Sequence, residues 1–369
     1  MPETTQVSTP VKHPFSSDKI YGHMDRVQEW LATGQSRPIT IELDLTNVCN
    51  QKCPHCFGYF PERDQARMHL EQAQGILRQI QETGTRGVTF TGGGDPLVSP
   101  IILPCVEYAK SVGLDVGFIT NGQALNESKS AVLLKNCQWI RVSIDAATPG
   151  IFKLTHGMDE RALQKVLENV RILVRLKKEM QSVCTVGIGF LTSDETKEDI
   201  YGFAALGKEL GVDYAQYRPL LRKHGEPEID YSDGEILSEM RRAFTLSDAH
   251  YKVLYSEHKY ELIQQGKLER DYKKCYGQHF AGVVSADGKM YVCCHMRGVE
   301  KYCIGDLSRQ SLKDVWFSEK RQRIAESVDF RDCPPLCRCD SFNTILWKIK
   351  EEGLPAEPDQ VPRQHPNFI

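Results

Sequence analysis

Thirteen cysteines stand out in this 369-residue chain, and ten of them fall into two groups. Cys49, Cys53 and Cys56 form the first, and Cys275, Cys293, Cys294, Cys303, Cys333, Cys337 and Cys339 the second. Clustering of this kind points to metal rather than to disulfides, and a chain of this length folds without disulfide staples. Iron–sulfur cubanes are held by four thiolates. A group of three therefore leaves one iron open, and an open coordination position is where chemistry enters. The alternative for the first group is a structural zinc site completed by His55 or a remote ligand. For the second it is a closed zinc site built from Cys294, His295 and the cysteines from Cys333 onward. Cys105, Cys137 and Cys184 stand singly in apolar surroundings and read as small buried hydrophobes.

The surrounding pattern says which elements position these groups. Ile20, Met24, Val27 and Leu31 repeat on one face of a leading helix closed by Gly34. Ile39 to Leu45 is extended and rich in β-branched residues, and strand-like runs recur at Val88 to Thr91, Val116 to Thr120, Trp139 to Ile144, Thr185 to Leu191 and Tyr214 to Tyr217. Helical patterns lie between them, such as Leu163, Val166, Leu167, Val170, Leu173 and Val174. Helical crossovers force parallel pairing, so the expected fold is α/β, a partial (β/α)6 barrel of parallel strands. The first cysteine group follows its first strand directly, at the C-terminal mouth where ligands bind.

Five segments follow: a polar tail and leading helix over 1–38, the barrel over 39–225, a helical connector over 226–270, a small cysteine-rich domain over 271–345 and an irregular tail over 346–369. Within the cysteine-rich domain, Val283 to Ser285 and Met290 to Val292 read as a hairpin turning at Asp287-Gly288, a dipeptide suited to a type I′ turn.

Forty-six basic against 49 acidic residues leave a net charge of −3, so no global positive field draws the chain to nucleic acid. Arg222-Lys223-His224 and Arg171 to Lys178 are the local basic runs, each equally a solvated face. With no apolar run long enough for a membrane span and no apolar signal core, a cytoplasmic location is expected.

The segment Cys49-Asn50-Gln51-Lys52-Cys53-Pro54-His55-Cys56, after Leu45-Thr46-Asn47, resembles the C-x3-C-x2-C signature of the radical S-adenosylmethionine (SAM) superfamily. The resemblance implies a four-iron four-sulfur cluster on Cys49, Cys53 and Cys56, whose open iron is chelated by SAM. His55 departs from the aromatic ring common at that position. Thr91-Gly92-Gly93-Gly94-Asp95-Pro96 resembles the family's Gly-Gly-Glu-Pro segment, which implies that Gly92, Gly93, Gly94 and Asp95 meet the methionine amino group. Asn121 after the third strand, and Ser143 and Asp145 after the fourth, resemble segments lining the ribose and methionine sites. Phe190 lies in the segment that corresponds to the adenine contact. Read alone, these are also ordinary turn and strand chemistry.

Cys275, twelve residues, Gly288, four residues and Cys293 are similar to the pattern of the auxiliary-cluster domains called SPASM and Twitch. The additional C-x2-C pair of a complete SPASM set is absent, so Twitch, with one auxiliary four-iron four-sulfur cluster, is the better match. The resemblance implies ligands Cys275, Cys293, Cys333 and Cys337, with Cys339 as the alternative among the last cysteines.

The implied activity is reductive cleavage of SAM to a 5′-deoxyadenosyl radical that takes hydrogen from an unactivated carbon. The electron would come from a flavodoxin- or ferredoxin-type donor. Dehydrogenation or epimerisation would follow, with Cys294 or Cys339 as candidate hydrogen donor. Gln216 and Arg218, ending the sixth strand, are candidate substrate contacts, since Arg suits carboxylate or phosphate, although a surface ion pair fits Arg218 equally. Only about 38 residues precede the first strand, fewer than a leader-peptide-binding domain needs. A small polar substrate such as a sugar, aminocyclitol or nucleoside is therefore expected. The alternatives are a ribosomal-peptide-modifying enzyme and, from another class, a non-catalytic zinc-binding scaffold.

Overall fold

A computed structural model describes residues 17–56, 65–220, 234–267, 269–354 and 364–369. Ten strands make one sheet: β1 Thr40–Asp44, β2 Gly87–Thr91, β3 Asp115–Thr120, β4 Trp139–Ser143, β5 Thr185–Thr192, β6 Tyr214–Pro219, β7 Lys252–Tyr255, β8 Ala281–Val284, β9 Lys289–Tyr291 and β10 Cys303–Asp306. Their spatial order is β10-β9-β8-β1-β2-β3-β4-β5-β6-β7. Strands β1 to β7 run parallel, β8 joins the free edge of β1 in parallel, and β9 and β10 return antiparallel. The helices begin with α1 Met24–Thr33, α2 Leu70–Glu82, α3 Ile102–Ser111, α4 Glu127–Asn136, α5 Pro149–His156 and α6 Glu160–Glu179. They continue with α7 Ile200–Leu210, α8 Glu235–Phe244, α9 Glu257–Gln264, α10 Leu312–Trp316, α11 Glu319–Glu326 and α12 Asp340–Glu352.

The period of two along each strand sorts the side chains. Ile41, Leu43, Val88, Phe90, Val142 and Ile188 join the main core with the apolar faces of the surrounding helices. On α6, Leu163, Val166 and Val170 are each 1% exposed or less, and such a side chain contributes about 1.5–3 kcal/mol by leaving water. The alternate positions, among them Glu42, Asp44, Arg141 and Gln216, are polar and also buried, so the sheet's inner face is a polar lumen. Cys105, Cys137 and Cys184 are buried as the sequence suggests.

Three expectations change. The connector over 226–270 contributes β7, which extends the parallel sheet by pairing Tyr214 to Tyr217 with Lys252 to Tyr255. The hairpin does not use a type I′ turn. Gly288 donates its N–H to the Ser285 carbonyl at 2.9 Å and has φ +81, while Asp287 is not in the left-handed region. Three loop residues ending in a left-handed glycine make a type I turn with a bulge. The cysteine-rich domain is also not detached from the barrel: β8 pairs Thr40 to Leu43 with Ala281 to Val284 and so extends the barrel sheet.

The chain termini seal this region. Val27 and Trp30 of α1 pack with Phe280 and with Phe342, Leu346 and Ile349 of α12. In the last residues, Lys19 Nζ donates to the His365 and Phe368 carbonyls at 2.9 Å, and Phe368 stands edge-on to Trp139. Arg222, Lys223 and His224 lie outside the described residues.

Candidate active site

The first cysteine group lies in the loop leaving β1, held from two sides. Gly94 N–H donates to the Thr46 carbonyl and Asp95 N–H to the Val48 carbonyl, at 2.9 and 3.1 Å. A Cβ on Gly94 would lie 1.9 Å from the Val48 oxygen, so only glycine permits this approach. On the other side Gly157, φ +64, ends α5 against the Lys52 carbonyl, 2.8 Å from where its Cβ would be. Lys52 N–H in turn donates to the His156 carbonyl at 3.2 Å.

This second clamp delivers a residue that the sequence did not single out. His156, 3% exposed, has Nδ1 2.7 Å from Gln51 Oε1 and 3.3 Å from Cys53 Sγ. Gln51 Nε2 donates to Gln123 Oε1 at 3.0 Å. That orientation turns the Gln51 oxygen toward the imidazole, so His156 Nδ1 carries the hydrogen. Nε2 faces Asp145 Oδ2 at 3.5 Å, and the ring stacks on Phe152. Asn121 Nδ2 donates to Asn50 Oδ1 at 2.7 Å and lies 3.7 Å from Cys49 Sγ. His55 departs from the site, its Nε2 meeting Glu195 Oε2 at 3.3 Å. A histidine at a helix end carries no local signal of this contact, because its partners lie more than 100 residues away.

Burial, then the negative charges of Cys56, Asp145 and Cys49, push the Cys53 thiol well above its ordinary range. A bare thiolate at Cys53, beside Cys49 and Cys56, is disfavoured, and a cation next to it removes the penalty. The donor set fits an iron–sulfur cluster.

Two expected cofactor residues point elsewhere. The Asp95 carboxylate is buried and accepts from Leu97 N–H, Thr120 Oγ1 and Asn121 N–H, so it caps a turn and ties β3 to the glycine loop instead of facing a ligand. Phe190 is fully buried against Phe203 and Tyr217 on the helix side of the sheet. The strand period puts Gly189 and Leu191 on the lumen side in its place. Ser143 ends β4 half-exposed beside Gly189, and Asp145, with φ +51, accepts from Leu191 N–H at 2.7 Å.

The second group converges at the other end of the lumen. Burial raises the Cys275 and Cys333 thiols to about 12, with the charge of Cys337 next in each case. Burial also raises Cys293, followed by the charges of Cys294, Cys275, Cys337 and Cys333. These thiols share one neighbourhood. A hydrogen bond from Cys339 draws the Cys337 thiol below its ordinary range, and the same bond is the largest cause raising Cys339. Burial raises the Cys294 thiol, with Arg297 acting downward and Cys337 and Asp44 upward. Cys303 stands apart: its thiol meets the Gly305 carbonyl and packs with Val283 and Tyr291. Cys275, Cys293, Cys333 and Cys337 thus lie within each other's electrostatic reach, while among the described residues no three such side chains are drawn up around a single metal ion.

Two arginines that interrupt these cysteines reach the barrel. Arg297 pairs with Glu42 and Asp44 of β1, and Arg338 with Glu42. Residues 43–205 match the family model described as the radical SAM superfamily, and residues 275–340 that of the SPASM iron–sulfur cluster-binding domain.

The chain belongs to the radical SAM superfamily and carries a C-terminal SPASM region.

Its cofactors are accordingly the radical SAM four-iron four-sulfur cluster, SAM, and SPASM auxiliary clustering. Over 147 residues it is 31% identical to "Mycofactocin maturase MftC" of Mycobacterium ulcerans, covering 39% of this chain and 40% of that protein. The chain thus spans well under half the length of that relative. It is 25% identical over 298 residues to "AdoMet-dependent heme synthase" of Methanosarcina barkeri, covering 76% of this chain and 82% of that protein. The crystal structure of Streptococcus suis SuiB bound to precursor peptide SuiA superposes with a TM-score of 0.67 at 15% identity, over 98% of this chain and 84% of that one. Among the described residues no helix is long and apolar enough to cross a membrane.

Proposed function

We propose that this radical SAM enzyme modifies a peptide. The observation that carries the reading is the superposition of nearly the whole chain on SuiB, whose structure holds a precursor peptide, and the similarity to a mycofactocin maturase points the same way. The expectation of a sugar, cyclitol or nucleoside is correspondingly weaker. A small-molecule substrate remains the second reading, favoured by the heme synthase alignment over 76% of the chain.

In this reading Cys49, Cys53 and Cys56 hold the cluster that binds SAM, while Cys275, Cys293, Cys333 and Cys337 hold one auxiliary cluster. Together, cluster and SAM supply a 5′-deoxyadenosyl radical able to take hydrogen from an unactivated carbon. The chain's own residues do the rest. His156, Gln51 and Asn121 fix the cysteine loop, and Ser143, Asp145 and the Gly92–Gly94 turn line the cofactor side. The polar lumen between the two cysteine groups holds substrate away from water. Cys294 is the candidate hydrogen donor because it lies within the fields of Arg297 and Asp44 of the β1 clamp, whereas Cys339 is engaged by Cys337. A flavodoxin- or ferredoxin-type protein supplies the electron.

The test is anaerobic reconstitution with deuterated candidate peptides and small molecules. Deuterium in 5′-deoxyadenosine from a peptide supports the reading. Transfer only from a small molecule sinks the peptide reading. No SAM cleavage with dithionite, in a colourless protein, would leave the zinc-scaffold alternative.

A further inference from the structure

The lumen carries positive charge that nothing in the described protein neutralises. Arg141, at the middle of β4, is 8% exposed. Its Nη1 donates to Gln216 Oε1 at 2.8 Å, its Cζ lies 5.9 Å from the centre of the Trp139 ring, and its Nε is buried with no partner. Arg218, two residues beyond Gln216 on β6 and on the same side of that strand, also has a buried Nε with no partner. Among the described residues neither guanidinium is ion-paired.

The two charges sense each other: burial lowers Arg141 to about 9, and the next cause is Arg218. Tyr214 and Asp145 act in the opposite direction but more weakly, and Asp145 Oδ1 already accepts from Leu191 N–H. Further toward the auxiliary cysteines, Lys259 on α9 lies in the fields of Arg218 and Cys337. Gly189 lies against the same side chain, where a Cβ would meet Arg141 Cδ at 3.4 Å. An unpaired buried cation is strongly disfavoured unless an anion joins it, and guanidinium forks match carboxylate and phosphate.

We propose that Arg141, with Gln216 and Arg218, forms a subsite in the lumen for an anionic group of the substrate, a carboxylate or a phosphate. The inference rests on the reading of the lumen as the substrate chamber of a radical SAM enzyme. In a peptide, an acidic side chain, a C-terminus or a phosphorylated residue would fill the site.

The anaerobically reconstituted enzyme, saturated with SAM, is titrated calorimetrically with glutarate, inorganic phosphate and the neutral control glutaramide. Either anion is expected to bind and the diamide not to bind, with the preferred anion naming the group. Arg141→Gln is expected to weaken anion binding at least tenfold. Arg218→Gln, at a half-exposed position, is expected to do the same and keeps the test open should the first variant not fold. Wild-type protein that binds neither anion overturns the subsite, as do variants that bind anions normally. A loss confined to SAM affinity also overturns it, because the cations would then serve the cofactor. Dithionite-driven SAM cleavage by the wild-type enzyme is measured in parallel. Its absence would strike the radical reading and leave the anion titration interpretable on its own.

Discussion

Arg297 Nη2 lies 3.1 Å from Glu42 Oε2 and 3.2 Å from Asp44 Oδ1, so one guanidinium between Cys294 and Cys303 clamps two carboxylates of the strand that leads into Cys49. Arg338, between Cys337 and Cys339, meets Glu42 as well and donates to the C-terminal Ile369 carbonyl at 2.6 Å. The two cysteine groups are thereby tied through β1.

Removing the cation of this clamp leaves two buried carboxylates short of a partner. Arg297→Met is expected to cost about 3–5 kcal/mol, the usual penalty for breaking a buried pair from one side. It should lower Tm by several degrees in calorimetry. A Tm within a degree of wild type would show that the clamp is solvated.

The glycine turn tests how the first cysteine loop is held. Gly94→Ala places a Cβ against the Val48 and Asn47 backbone, which has no side-chain freedom with which to retreat. Iron bound per chain should fall by about the content of one cluster, and SAM cleavage should drop at least tenfold, with the far-ultraviolet circular dichroism unchanged. Full iron loading would mean that the loop adapts.

Among the C-terminal cysteines, proximity separates ligands from bystanders. Cys293→Ala should remove the auxiliary cluster and lower iron content and visible absorbance. Cys303→Ala, whose thiol donates to the Gly305 carbonyl, should leave both unchanged. Equal iron loss in the two variants would contradict the assignment.

Acid should destabilise the seam between the N-terminal and C-terminal segments. Burial is the largest cause holding both His23 and His365 at about 4. For His23 the Pro366 carbonyl and Asp25 act upward and Arg86 and Arg26 downward, and for His365 Lys19 acts downward. Both folded values lie below the unfolded value near 6.5, so the unfolded chain binds more protons between about pH 6.5 and 4. Stability should therefore fall as pH drops through that window, by on the order of 3 kcal/mol for each histidine. Tm measured from pH 7 to 4 should show this slope, and a His23→Gln, His365→Gln double variant should flatten it. An unchanged slope would place the acid sensitivity elsewhere.

Legibility followed distance along the chain. The Cys49-x3-Cys53-x2-Cys56 spacing, the helical and strand periods and the Asp287-Gly288 reversal are local patterns, and they led to the parallel barrel, the first cysteine group and the hairpin. Phe190 shows the limit of such reading. The motif segment was found, but which of two alternating faces meets the cofactor depends on what packs behind the strand, here Phe203 and Tyr217. Cys303 was inseparable by spacing from its neighbours, yet it stands apart from them in space.

What the sequence determined by itself was the chemistry available: three thiolates at a strand mouth, more near the end, and a βα alternation to carry them. Such information is encoded by neighbours in the chain, where side-chain period and turn propensity act directly. Only the tertiary structure decided that β8 joins β1, that His156 reaches Cys53 across 103 residues, and that Arg297 reaches Glu42 across 255. Those pairings depend on which buried charges and donors find partners once the sheet has closed, and no local propensity records that outcome.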